Sequence, residues 1–99
     1  MIESRADLFD SDGGAKDEVD AIRGERGTVA SDRNIGDETL LTSTTQPGFP
    51  RPLRIVTVTW RTGNVVASVT VNGFQGRVRE QGAFRLARLQ QVRIVAAAG

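Results

Sequence analysis

Histidine, cysteine and tyrosine are absent from the 99 residues. Their absence removes the commonest general base, thiolate and phenolate nucleophiles, the Ser-His-Asp triad, and zinc sites built on Cys or His. Lys16 is the only lysine, hence the only amine side chain that could form a Schiff base. The carboxylates that could work in pairs crowd into residues 1–45, where nothing visible in the sequence fixes their separation. Asp10-Ser11-Asp12-Gly13-Gly14 has the flavour of a calcium loop. An EF-hand starting at Asp10 needs Gly at position 15 and Glu at position 21, and the chain has Ala15 and Ala21. Gly73-Phe74-Gln75-Gly76 lacks the spacing and the lysine of a phosphate loop. Arg23-Gly24-Glu25-Arg26-Gly27 is a single RGG-like copy interrupted by an acid. The expectation is a non-enzyme with no catalytic residue, cofactor or metal site.

The elements that would carry any function fall into two unlike halves. Residues 1–45 hold eleven acids against five bases, a balance of −6, and residues 46–99 hold one acid, Glu80, against eight arginines, a balance of +7. Such asymmetry suggests an interaction tail beside a folded part. Residues 1–50 are poor in large apolar side chains and rich in Gly and Asp. A segment of that kind buries too little surface to offset its ordering entropy, so an acidic, extended, mostly irregular arm is expected. A short helix could form over 15–23, with Ala15, Val19 and Ile22 on one face, Asp12 as its cap and Gly24 as its stop. Thr42 to Gly48, with Pro47, Pro50 and Pro52, reads as linker. Ile2, Leu8, Phe9, Val19 and Ile22 are the arm's candidate partner-docking residues, because isolated apolar side chains in a polar tail anchor segments that fold on binding.

Residues 51–99 read as a basic β module. The runs 54–61 and 65–71 are rich in β-branched residues, and two-residue turn signals, Gly63-Asn64 and Asn72-Gly73, follow them. A turn at Gly63-Asn64 pairs Thr62 with Val65, Trp60 with Ala67, Val58 with Val69 and Val56 with Val71. A turn at Asn72-Gly73 pairs Val71 with Phe74, Val69 with Gly76 and Ala67 with Val78. Both registers place Val56, Val58, Trp60, Ala67, Val69, Val71, Phe74 and Val78 on one face, and a one-residue slip would scramble that division. The predicted fold class is therefore mainly β: a small antiparallel meander with strands over 54–61, 65–71 and 74–80. Strands over 84–89 and 92–96 could extend it to five; residues 83–91, which lack β-branched side chains, also suit a helix.

A core of this size without disulfides is marginal on its own, and a meander has open edges. Both push toward assembly with other chains. The polar arm over 1–50 and the meander with its turns at Gly63-Asn64 and Asn72-Gly73 make the chain resemble small bacteriophage virion accessory proteins, such as head-decoration (cement) or tail and connector components. The resemblance implies a structural subunit whose partners are copies of itself or larger capsid or tail proteins, with the arm strapped across neighbours. The alternative is a small nucleic-acid-binding module using Arg61, Arg77 and Arg79 as a basic surface beside Thr57, Thr59, Ser68 and Thr70, with the acidic arm as a regulatory tail. No apolar run approaches the roughly 20 residues that span a bilayer, and no apolar stretch marks a secretory signal. A membrane partner is not expected; the cytoplasm, or a virion assembled in it, is the expected location.

Overall fold

A computed structural model of the chain describes residues 2–25, 27–30, 35–48, 50–74 and 79–98. In chain order the elements are β1 (Ile2–Leu8), α1 (Asp12–Arg23), β2 (Thr28–Ala30), β3 (Glu38–Gln46), β4 (Leu53–Thr62), β5 (Val65–Phe74) and α2 (Glu80–Ala98). The five strands form one antiparallel sheet in the order β1-β5-β4-β3-β2. The fold is thus mainly β, and β2 to β5 are a meander of consecutive neighbours.

The β4–β5 hairpin has the register expected from its turn: Thr62 faces Val65, Trp60 Ala67, Val58 Val69 and Val56 Val71. Gly63 sits at φ +57°, in the left-handed region a two-residue hairpin turn demands. The second expected turn does not form. Asn72 and Gly73 lie within β5 opposite Ile55 and Arg54, because β4 extends back to Leu53 and offers them partners. The place expected for a strand over 74–80 is taken by β1, which pairs with β5 from Ile2↔Val71 to Leu8↔Val65. Of that expected strand, 75–78 lie outside the described residues, and Glu80 opens α2.

The expected arm is corrected most. Its described residues include three strands and a helix, and the compositional boundary near residue 50 falls in the β3–β4 connection. β3 pairs with β4 along its full length, from Glu38↔Arg61 to Gln46↔Leu53. The stretch Thr39-Leu40-Leu41-Thr42 is β-branched and apolar enough to be a strand once a partner edge exists; composition taken segment by segment discounts that partner. β1 and β2 sit at opposite edges, about 19 Å apart across four inter-strand spacings. α1 bridges them: its 12 residues span about 18 Å. The helix starts earlier than 15–23, at Asp12, and its cap is Ser11, whose hydroxyl accepts the Gly14 N–H at 3.0 Å.

Residues 80–98 form a helix, so the expected strands over 84–89 and 92–96 are also corrected. Buried Ala83, Phe84 and Ala87, with half-buried Ile94, recur at helical spacing, and that periodicity outranks the short alternation at 84–86. Glu80 lies in the first turn, favourable to the helix dipole, and accepts from Arg54 at 3.0 Å.

Each face of the sheet carries one helix. α2 closes the apolar face, burying Val56, Val58, Trp60, Ala67 and Val69 with Ile35, while Val71 packs at the margin. Of the remaining expected core residues, Phe74 is half-buried and Val78 lies outside the described residues. Trp60 Nε1 donates to Gln91 Oε1 at 2.8 Å, and Gln91 Nε2 donates to Thr62 Oγ1 at 2.8 Å, which satisfies the indole and fixes α2 along the hairpin. α1 closes part of the other face, with Ala15 and Val19 buried on Leu40 and Val66. Val19 is therefore core. Val19→Ala should cost about 2 kcal/mol in urea unfolding, through lost transfer energy and a residual cavity. Exposed Leu8→Ala should change stability by less than about 0.5 kcal/mol. Equal effects would mean that α1 is not part of the cooperative unit.

Candidate interaction surface

Backbone hydrogen-bond directions define the free edge. In a two-residue hairpin the residues flanking the turn bond each other, so the backbone groups of Val65 point to β4 and those of Val66 to β1. The Phe9 N–H donates to the Asn64 carbonyl at 2.8 Å, in the same alternation. Glu3, Arg5 and Asp7 therefore direct their N–H and C=O groups into the sheet, and Ile2, Ser4, Ala6 and Leu8 direct theirs to solvent. Side chains alternate too. Ile2, Ser4, Ala6 and Leu8 share the α2 face, opposite Val71, Val69, Ala67 and Val65, and Glu3, Arg5 and Asp7 share the α1 face. Ile2 is 63% and Leu8 77% exposed. The opposite edge is far shorter, since β2 has three residues.

Both helices pack chiefly on β4 and β5, and β1 is exposed along its length apart from half-buried Asp7. On the α2 face this leaves an open depression of about 380 Å³ lined by Ile2, Val71, Arg79, Gln81, Gly82, Arg85 and Leu86. Ser4, Val69, Leu89 and Arg93 line a neighbouring depression that also includes Ile2 and Leu86. The outer side of α2 exposes Leu89 (55%), Val92 (67%) and Val95 (53%). Arg79, Arg85, Arg88 and Arg93 make no ion pair with a described residue, and the one acid of α2, Glu80, is engaged by Arg54. The result is a set of exposed apolar side chains with a basic border, of which Leu89 lies beside the free edge of β1.

The residues singled out in the sequence are distributed differently from expectation. Val19 is fully buried in its own chain, with Phe9 and Ile22 packed against that cluster, so these three serve the fold; Ile2 and Leu8 remain exposed. Arg61 is not an open basic surface: its side chain is 15% exposed. Its Nε bonds Glu38 Oε2 at 3.0 Å, and its Nη1 reaches Asp37 Oδ2 at 3.5 Å and the Gly63 carbonyl at 3.0 Å. Arg23 shares Glu38 at 3.1 Å. Arg79 lies on the α2 side near Ile2 and Val71, away from this cluster, and Arg77 is outside the described residues. Of the Thr/Ser face, Thr59 is buried, and Thr57, Ser68 and Thr70 are half-buried. Sequence reasoning missed Arg85, Arg88, Leu89, Val92 and Arg93 as a surface. Their signal, a basic amphipathic helix, was present in the same residues read for strands.

A scan against protein-family models, a search of curated proteins and a search of solved structures each returned no match to this chain. Among the described residues no helix is long and apolar enough to cross a membrane.

The Arg61 cluster ties the hairpin end to the loop before β3. Glu38 is itself mostly buried, so Arg61→Ala should cost about 1.5–3 kcal/mol, the range for hydrogen bonds to charged groups. Urea unfolding checks this; a loss below about 0.5 kcal/mol would mark the cluster as a solvent-screened surface pair.

Proposed function

We propose that this chain is a non-enzymatic assembly subunit, a module that joins other protein chains through its β1 edge and the adjoining outer side of α2. The observation that carries this is the juxtaposition of a seven-residue strand whose outer edge is unpaired and the exposed Leu89 of α2, which lines one depression with Ile2 and Ser4, while Val92 and Val95 continue the exposed apolar side chains around the helix. Exposed edge strands template pairing with another chain, and soluble proteins ordinarily blunt them. Contiguous exposed apolar side chains mark interaction sites. The opposite flank is closed differently, with β2 short and α1 buried against Leu40 and Val66. Since β1, α1 and β3 complete the chain's own sheet and layers, the proposed contact is this flank rather than an arm strapped across a neighbour. A bacteriophage-type particle, with the chain as an accessory or decoration subunit, is the setting we propose for such a module, in the virion or in the cytoplasm where it assembles.

A second reading has its own support. Arg79, Arg85, Arg88 and Arg93 are four guanidinium groups that make no ion pair with a described residue, a charge pattern suited to nucleic-acid phosphates. It is the weaker reading because these arginines border apolar side chains, and Phe84, the aromatic of α2, is buried.

Sedimentation velocity of the full chain from low to high micromolar concentration separates the two. Assembly predicts a concentration-dependent rise in sedimentation coefficient without nucleic acid. A folded monomer throughout would overturn it. The second reading predicts a salt-sensitive shift with DNA or RNA that is lost when Arg85, Arg88 and Arg93 are replaced by Ala.

A further inference from the structure

We propose that the occupant of the β1 edge is a second copy of this chain, paired antiparallel about a two-fold axis at Ser4, so that two five-stranded sheets join into one. This rests on the assembly reading above and specifies its partner and register.

Direction and parity come from the backbone. The outward N–H and C=O groups of β1 belong to Ile2, Ser4, Ala6 and Leu8, so two copies of the edge can bond only if even-numbered residues oppose even-numbered residues. The same condition keeps both α2 helices on one face of the joined sheet. Three central registers satisfy it, with the axis at Ser4, Arg5 or Ala6. Charge then selects among them. Glu3, Arg5 and Asp7 alternate in sign along the α1 face of the strand. An axis at Arg5 sets Arg5 against Arg5 and Glu3 against Asp7, like charges at every position. These are the non-hydrogen-bonded positions, where Cα atoms are only about 4.5 Å apart and side chains are closest. An axis at Ala6 sets Arg5 against Asp7, but Asp7 is already the partner of Arg5 within the chain, at 2.8 Å. An axis at Ser4 sets Glu3 against Arg5, twice by symmetry. Glu3 makes no ion pair with a described residue of its own chain, so this register supplies the cation it lacks. On the other face it sets exposed Ile2 against Ala6. Ser4 and Ser4 bond reciprocally on the axis, with Ile2 and Ala6 bonding on either side.

The strand's placement agrees. β1 is exposed along its length except for half-buried Asp7. Both helices pack chiefly on the inner strands β4 and β5. Among the described residues, the edge strand on the far side, β2, has three residues against the seven of β1.

The chain has no cysteine, so a disulfide can report the register. With the axis at Ser4, two Ser4→Cys residues lie about 5.5 Å apart between Cα atoms, within disulfide reach. Two Ala6→Cys residues lie roughly 14 Å apart, well beyond it. Mild oxidation should therefore give a covalent dimer of Ser4→Cys and none of Ala6→Cys; the reverse result would overturn the register. Arg5→Glu should raise the dimer dissociation constant about tenfold or more, by setting Glu3 against the new acid. The swapped pair Glu3→Arg with Arg5→Glu should restore it, which an axis at Ala6 does not allow. Ser4→Pro removes an outward N–H and no bond inside the sheet, so the monomer keeps its circular dichroism and Trp60 emission while dimerisation is lost. If Ser4→Pro still associates like the parent, β1 is not the interface and this proposal fails while the assembly reading stands, carried by α2. If the parent chain is a monomer at every concentration, both fail.

Discussion

A two-residue turn leaves the strands it joins no choice of register, and the turn at Gly63-Asn64 sets the terms for the rest of this molecule. It fixes Val56, Val58 and Trp60 opposite Val71, Val69 and Ala67, which makes one face of the hairpin continuously apolar and the other a ladder of Thr, Ser and Arg61. Its end is also where chain segments meet. Gly63 donates its N–H to Asp37 Oδ2 at 2.7 Å, the Asp37 N–H bonds the Arg61 carbonyl at 2.7 Å, and Asn64 receives Phe9. Gly36 must pass so close that a Cβ there would stand 2.5 Å from the Arg61 carbonyl oxygen, at a φ of +65° that suits only glycine. The hairpin thus dictates where β3 begins and where β1 ends.

The two faces are closed by different means. On the apolar face α2 buries Ala83, Phe84 and Ala87 in the cluster on the sheet and satisfies the Trp60 indole through Gln91. An indole N–H buried without an acceptor would cost about 1–3 kcal/mol, so this bond sets the helix position along the hairpin as well as filling a donor. On the polar face α1 needs only a small apolar island, Leu40 and Val66, to bury Ala15 and Val19. Because β4 and β5 lie inside the sheet, helices seated over them leave β1 uncovered. The open edge is a consequence of strand order, with β1 arriving as the last neighbour of β5.

Much of the hairpin and its core was legible because alternation and turn chemistry are local. The first half was misjudged for a nonlocal reason. Val19 and Leu40 are too few to fold a separate arm, yet each is fully buried on a sheet that other residues provide. The Asn72-Gly73 signal was overridden because pairing to Ile55 and Arg54 continues the ladder at no cost in register. Residues 83–91 carried two periodicities at once, and the longer one, running on to Ile94, prevailed. Of the apolar residues singled out in the first half, Ile2 and Leu8 remain exposed, whereas Val19 is buried. Arg61 was misplaced, because nothing in its neighbours announces that Asp37 and Glu38 come to lie beside it.

Charge ties these strands of the argument together. The acidic first half and basic second half suggested attraction, and among the described residues Arg61 meets it by binding Asp37 and Glu38 across the β3–β4 pair. Arg54 takes Glu80 from its own half. Arg79, Arg85, Arg88 and Arg93, without an ion pair to a described residue, lie on and beside α2, and the charge alternation lies on β1. A strand bearing Glu3, Arg5 and Asp7 is self-complementary in two registers and self-repelling in the one between them. An edge bearing charge of one sign would instead repel every copy of itself, which is how edges are commonly protected. The alternation therefore admits a specific neighbour while excluding a slip of the axis by one residue. That combination suits an interface better than it suits a surface meant only to stay in solvent.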